Sequence, residues 1–275
     1  MSFPGRATLR RARYALPDAL GRRFPPQSSE AAVSACVRIV ERTGARITLG
    51  YFALPEEEPE AVAEAFIVAA RALVARGPTG TALAVKAPPL GFDQTLLERI
   101  AAEGVPLILD ALTPEQAPQV LALSGAIGCG VALPARWRRS LRDATALRPR
   151  DCRIRVIKGE WADPQADPDD QAEAYLEVIR ALAGRAAPVE VATHDPQLAD
   201  AALAILAAAG TPAELGQLRG LPQRRSRAVA TRRAVPVRYY YPYGPGWWPY
   251  AIEQALRKPY LPLWALRDRI ARDAV

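Results

Sequence analysis

The feature that most constrains this chain is an alternation. Eight short apolar runs are separated by stretches with helical periodicity. The runs are Arg46–Phe52, Thr81–Lys86, Pro106–Asp110, Ile127–Leu133, Cys152–Ile157, Pro188–Thr193, Ala213–Leu218 and Pro236–Tyr241. Helical patterns fall between them at Pro59–Val74, Phe92–Glu103, Thr113–Leu123, Asp169–Leu182 and Asp195–Ala209. The fourth and seventh connections carry the weakest helical pattern. Short strands alternating with helices build parallel βα units. Eight units in 275 residues fit closure into a barrel, which takes about 250 residues, rather than an open sheet. The expected fold is therefore α/β, a (βα)8 TIM-type barrel over residues 44–275. Residues 1–43 read as an N-terminal helical extension, broken at Pro25 and Pro26, with Ser28 or Ser29 capping a helix that runs to Thr43. A pattern over Trp264–Ala274 reads as a C-terminal helix.

Composition narrows the function classes. The Ala-rich stretch from Asp200 to Gly210 is too short to span a bilayer, and no apolar run reaches membrane-spanning length. The N-terminus lacks a secretory pattern, so a cytoplasmic protein is expected. Cys36, Cys129 and Cys152 are odd in number and far apart, which gives neither a disulfide framework nor a zinc site. His194 is the single histidine. The net charge of +7 owes much to Arg224, Arg225, Arg227, Arg232 and Arg233. Such a cluster can bind nucleic acid, but no recognition motif accompanies it. It reads as a solvated helix face, with no nucleic-acid partner expected.

In a (βα)8 barrel the chemistry sits at the C-terminal strand ends. The polar residues there are Lys86, Asp110, Arg155, Lys158, Glu160, Thr193, His194, Asp195, Arg219 and Tyr240. Structural alternatives exist for several. Lys86 and Asp110 can form an ion pair, Arg155 can serve a buried carboxylate, and His194 with Asp195 can cap the next helix.

The order of motifs resembles the proline dehydrogenase family over roughly residues 44–260. The segments are Ile47–Gly50 (ITLG), Leu83–Lys86 (LAVK), Leu109–Ala111 (LDA), Arg155–Asp163 (RVIKGEWAD), Ala192–Asp195 (ATHD), Glu214–Leu221 (ELGQLRGL) and Val237–Gly244 (VRYYYPYG). Trp248–Tyr250 and Pro259 complete the series. The resemblance implies FAD across the barrel mouth and oxidation of a C–N bond. It implies Arg155 near the flavin edge, and Lys158, Gly159, Thr193 and His194 along the cofactor. It further implies Lys86 on the substrate carboxylate, Asp110 beneath it, and Tyr240 shaping the pocket. A quinone is the electron acceptor to consider.

The same comparison locates departures. The family's last barrel helix carries two adjacent arginines that clamp the substrate carboxylate. Those positions are Glu253 and Gln254 here, and Arg257 stands where an acid follows the clamp. A glutamine that faces the flavin maps to Pro134. The residues after Lys-Gly become Glu160, Trp161 and Ala162. Glu160, Glu253, Gln254 and Arg257 are therefore the candidate substrate-pocket residues. The expected function is a flavin-dependent oxidoreductase acting on an amine or amino acid, with an altered substrate. The alternative is a non-catalytic barrel that has lost flavin and binds or regulates.

Overall fold

The computed structural model describes residues 28–76, 79–257, 260, 263, 264 and 266, without the side chains of Ala255 and Arg257. The first 27 residues and most of the expected C-terminal helix lie outside these. Eight parallel strands close into one barrel in sequence order. They are β1 (Arg46–Tyr51), β2 (Ala82–Lys86), β3 (Leu107–Asp110), β4 (Gly130–Pro134), β5 (Ile154–Ile157), β6 (Val189–Ala192), β7 (Ala213–Leu218) and β8 (Val237–Tyr243). The ring closes through β1 and β8, with Arg46 opposite Arg238 and Thr48 opposite Tyr240. The nine α-helices among the described residues are α1 (Ser29–Thr43), α2 (Pro59–Arg76), α3 (Gln94–Ala101), α4 (Ala117–Ile127), α5 (Arg139–Leu147), α6 (Gln171–Leu182), α7 (Pro196–Ala208), α8 (Arg224–Arg232) and α9 (Trp247–Arg257).

Alternation along each strand sends successive side chains to opposite faces. One face meets the helices. Ile47, Leu49, Leu83, Val85, Val156, Val191 and Leu215 belong to a continuous core with Phe66, Ile67 and Leu73 of α2. Each aliphatic side chain buried this way contributes about 1.5–3 kcal/mol. Helix α1 joins the same core through Ala32, Val33, Cys36 and Ile39. Its first turn is capped by Ser28, which accepts from the Ala31 N–H. Asp93, Asp170 and Asp195 cap α3, α6 and α7, each accepting from two backbone N–H groups. The weakly patterned connections are helical too. In α8, Ser226, Val229 and Ala230 face inward, while the arginines of its cluster are exposed.

The other strand face lines the barrel axis, and it is unusual. Gly50, Ala82, Ala84, Gly130, Ala132, Ala192 and Gly216 keep it open, and long charged side chains fill the space. Glu214 and Arg238 are each 1% exposed. Arg238 Nε donates to Glu214 Oε2 at 2.6 Å, and its Nη1 donates to the carbonyls of Ile47 and Gly80. Arg153 Nη1 lies 2.8 Å from the same carboxylate, and Arg46 pairs with its other oxygen. Burial works against the Glu214 charge. The Arg238 bond, with the charges of Arg238, Arg153 and Arg46, outweighs it and holds the carboxyl below the usual range. Removing one partner of such a set strands the rest without compensation. Glu214→Ala should lower the unfolding free energy by about 3–5 kcal/mol in urea denaturation. A loss below about 1 kcal/mol, within the range of an ordinary surface pair, would show that the cluster holds little together.

Candidate active site

Lys86 and Asp110 end their strands side by side, as register partners of β2 and β3. Tyr240 reaches them from β8. Lys86 Nζ donates to the Tyr240 hydroxyl at 3.4 Å and sits 3.5 Å from the centre of the Phe52 ring. Below, the Arg155 guanidinium stacks 4.4 Å from the Tyr240 ring, 4.0 Å from Asp110 Oδ2 and 3.3 Å from Glu190 Oε1. Four residues drawn from β2, β3, β5 and β8 thus converge at the C-terminal mouth.

The electrostatics follow from burial and neighbours. Burial lowers Lys86 to about 8, helped by Arg155 and opposed by Asp110 and Glu160. Burial also pushes the Asp110 carboxyl up, against the pull of Arg155 and Lys86. Arg155 is opposed by burial, yet Glu190 and Asp110 outweigh it and keep the guanidinium firmly charged. Among the described residues, Asp110 Oδ1, Arg155 Nε and both Glu190 oxygens are buried without a hydrogen-bond partner.

A roof lies over this floor. The loop after β5 carries Glu160, which accepts from the Tyr250 hydroxyl at 2.6 Å and from Gln254 Nε2, both on α9. The loop is fastened from the β4 side as well. Arg136 donates to the Glu160 carbonyl at 2.8 Å and pairs with Asp167. Trp137 donates to the Trp161 carbonyl, and the Arg138 N–H donates to Asp163. Phe52 packs on Trp247 and Tyr250, ring centres 4.9 and 5.2 Å apart. Glu160 and Gln254, both expected in the pocket, therefore meet. Glu253 lies half-buried on the same helix, and the Arg257 side chain is outside the described residues.

Other expected residues make their contacts outside the floor. Lys158 is exposed. Gly159 adopts φ 95°, but a Cβ there would meet the Cβ atoms of Pro134 and Arg136 at 3.0 Å. The room that this glycine leaves is taken up by the chain's own β4 end, not left open for a ring. Thr193 caps locally, its hydroxyl accepting from the Asp195 N–H. His194 Nε2 accepts from the Leu218 N–H at 2.9 Å, and its Nδ1 faces the Pro222 carbonyl at 2.8 Å. A carbonyl only accepts and an amide N–H only donates, so these partners assign the proton to Nδ1. Arg219 lies toward the outer face, 5.5 Å from the Tyr241 ring centre. The reading of Arg155 as serving a buried carboxylate is realised in Glu190, a residue absent from the sequence-based selection. Phe52, Trp247 and Tyr250 were also absent from it. The signal for Glu190 was available: a charge inside the apolar run Val189–Ala192, in phase with the axis-facing positions.

The fold and the mouth together define a (βα)8 barrel with a charged, aromatic-roofed site at its C-terminal face. Among solved structures it is similar to proline utilization A (PutA) from Bdellovibrio bacteriovorus inactivated by N-propargylglycine, at 15% identity and TM-score 0.74, over 98% of this chain and 36% of that one. It is also similar to PutA from Corynebacterium freiburgense, at 16% identity and TM-score 0.67, over 96% of this chain and 32% of that one. The chain spans about a third of the length of these proteins, and at such identity the likeness is one of fold. No protein-family model matches the chain, and no curated protein matches it. No helix among the described residues is long and apolar enough to cross a membrane.

The lowered Lys86 value has a consequence for stability. Between about 8 and 10.5 the unfolded chain still binds the lysine proton while the folded chain has shed it. Stability must rise with pH across that window. Urea titrations below and above it should show the wild type gaining on Lys86→Met as pH rises. An unchanged difference between the two would contradict the burial of this ammonium group.

Proposed function

We propose that this chain is a cytoplasmic, divergent relative of the proline dehydrogenases. It oxidises a C–N bond of an amine or amino-acid-like substrate, with FAD at the barrel mouth. The observation that carries the reading is the incompletely satisfied polar set that Lys86, Asp110, Arg155 and Tyr240 form at the floor. A buried donor or acceptor left without a partner costs about 1–3 kcal/mol; Asp110 Oδ1 stands so, and Arg155 Nε meets only the Glu190 carboxylate, at 3.3 Å and outside hydrogen-bond geometry. A barrel kept only for its shape has no use for them. The fold likeness to PutA supports the same reading.

Of the expected cofactor residues, Arg155 is the one whose chemistry suits FAD. Arg155 supplies a fixed cation beneath the mouth, the charge that favours a reduced isoalloxazine edge. Thr193 and His194 stand at the neighbouring β6 end, where the resemblance puts the rest of the cofactor, with both His194 nitrogens engaged by the chain's own backbone. When bound, FAD supplies a two-electron acceptor for the substrate carbon. The chain does the remainder. Lys86, with its value near 8, changes charge close to neutrality and can exchange a proton with an amine nitrogen. Tyr240 holds the Lys86 ammonium and covers Arg155. Phe52, with Glu160 above it, narrows the approach to the floor. A second reading, a flavin-free barrel that binds or regulates, draws on one observation: the space beside Gly159 is filled by Pro134 and Arg136. Visible absorbance separates the two. The purified chain should carry the band of oxidised flavin, and Arg155→Ala should lower its flavin content. A colourless wild type would favour the second reading.

Free L-proline should be a poor substrate. Two arginine–carboxylate contacts are worth about 1.5–3 kcal/mol each, and Glu253 and Gln254 replace both. At tenfold per about 1.4 kcal/mol, affinity falls more than roughly a hundredfold. Anaerobic mixing of the flavin-loaded protein with millimolar L-proline should leave the visible band intact. Rapid bleaching would overturn the expectation.

A further inference from the structure

Glu190 on β6 is 0% exposed, and neither of its oxygens has a hydrogen-bond partner among the described residues. Its carboxylate lies 3.3 Å from Arg155 Nε and 4.0 Å from Arg238 Nε. The space for it is prepared on the next strand. Glu190 and Gly216 are register partners, and a Cβ at Gly216 would stand 2.4 Å from Glu190 Oε1 and 3.0 Å from its Cγ. Only a glycine there lets the carboxylate lie along the axis toward Arg155.

The arrangement settles what Arg155 can still do. Its guanidinium has Glu190 on one side and Asp110 on another, at 4.0 Å. Its side chain remains 12% exposed. Arg238, one layer further in, is 1% exposed, so solvent reaches Arg155 from the mouth. A ligand carboxylate entering there would be the third anion around one guanidinium. The roof carboxylate of Glu160 repels it as well, and Lys86 alone opposes these charges with a cation that burial weakens.

We propose that Glu190 is a specificity-determining residue that fills Arg155 with an internal carboxylate, so that the mouth selects amines lacking a carboxylate over amino acids. The proposal rests on the mouth being the substrate site, and does not depend on flavin. Like-charge crowding of this kind is a recognised route to specificity, since it works by penalising the wrong ligand.

Isothermal titration of the full-length protein with pyrrolidine, L-proline and acetate tests it. Wild type should bind pyrrolidine and take up L-proline and acetate far more weakly. Glu190→Gln should raise affinity for both carboxylates on the order of tenfold or more, the weight of one charge-assisted hydrogen bond. Gly216→Ala keeps Glu190 but displaces its carboxylate, and should shift affinity in the same direction. Adding Arg155→Met to Glu190→Gln should cancel the gain. Three results would overturn the proposal: wild type binding L-proline as tightly as pyrrolidine, a folded Glu190→Gln with unchanged carboxylate affinity, or a gain that survives Arg155→Met. Should Glu190→Gln fail to fold, an unchanged affinity in Gly216→Ala overturns it equally. The visible spectrum of the same samples judges the flavin reading separately, because the titration reads side chains of the chain itself.

Discussion

A carboxylate sealed at the axis of a barrel must be met by cations, and Glu214 is met by three. Arg238, Arg153 and Arg46 converge on it, and the rest of the interior is arranged around that fact. Long guanidinium side chains need length and clearance, and the axis supplies both through glycine and alanine at neighbouring positions. The usual filling of such a barrel is stacked branched aliphatic residues. Here, among the described residues, the apolar cluster apart from the main core is small, built on Ala82, Ile108 and Ala132. Cohesion of the fold comes instead from the outer strand face, where the helices dock. This division of labour leaves the axis free to carry charge from its base to its mouth.

The mouth extends the same charge pattern to a surface where chemistry is possible. Arg155 stands between the sealed axis and the open end, and its carboxylate neighbours belong to both. Above it, the side chains change character from ionic to aromatic and hydroxylic, with Tyr240, Phe52, Trp247 and Tyr250 in close succession. The β5–α6 loop is fixed to α9 through one acid, Glu160, and to the β4 side through Arg136, Trp137 and Arg138. The strand ends at Lys86, Asp110, Arg155 and Tyr240, all within segments that resemble the proline dehydrogenase pattern, are the ones that the floor brings together. Two of the departures from it, Glu160 and Gln254, meet in the roof.

Much of this was legible in the sequence because periodicity and capping are local. The eight strands fell where apolar runs predicted them, and Asp195 caps α7 as its position before a proline implied. Lys86, Asp110, Arg155 and Tyr240 could be selected because the fold places all strand ends on one rim. The contacts within the rim were less accessible. Lys158 sits one residue beyond β5, and its exposure depends on strand phase, which the motif alone does not specify. Glu190 is not legible locally because a single acid in a four-residue apolar strand has no motif around it; its meaning comes from Gly216, a register partner more than twenty residues away. Tyr250 and Glu160 meet across the barrel mouth, a pairing that no local pattern encodes.

Gly50 carries a consequence of a different kind. A Cβ at that position would fall 2.2 Å from the Tyr240 hydroxyl and 2.6 Å from its ring carbon, so the strand that opens the barrel and the strand that closes it share one side chain's worth of room. Neither residue can drift alone. Enlarging Gly50 requires that Tyr240 shrink or turn away from Lys86, and losing Tyr240 removes the reason for a glycine. Over evolutionary time the two positions should change as a unit, and the ends of the barrel, far apart in sequence, carry a linked mutational history at the point where the ring is sealed.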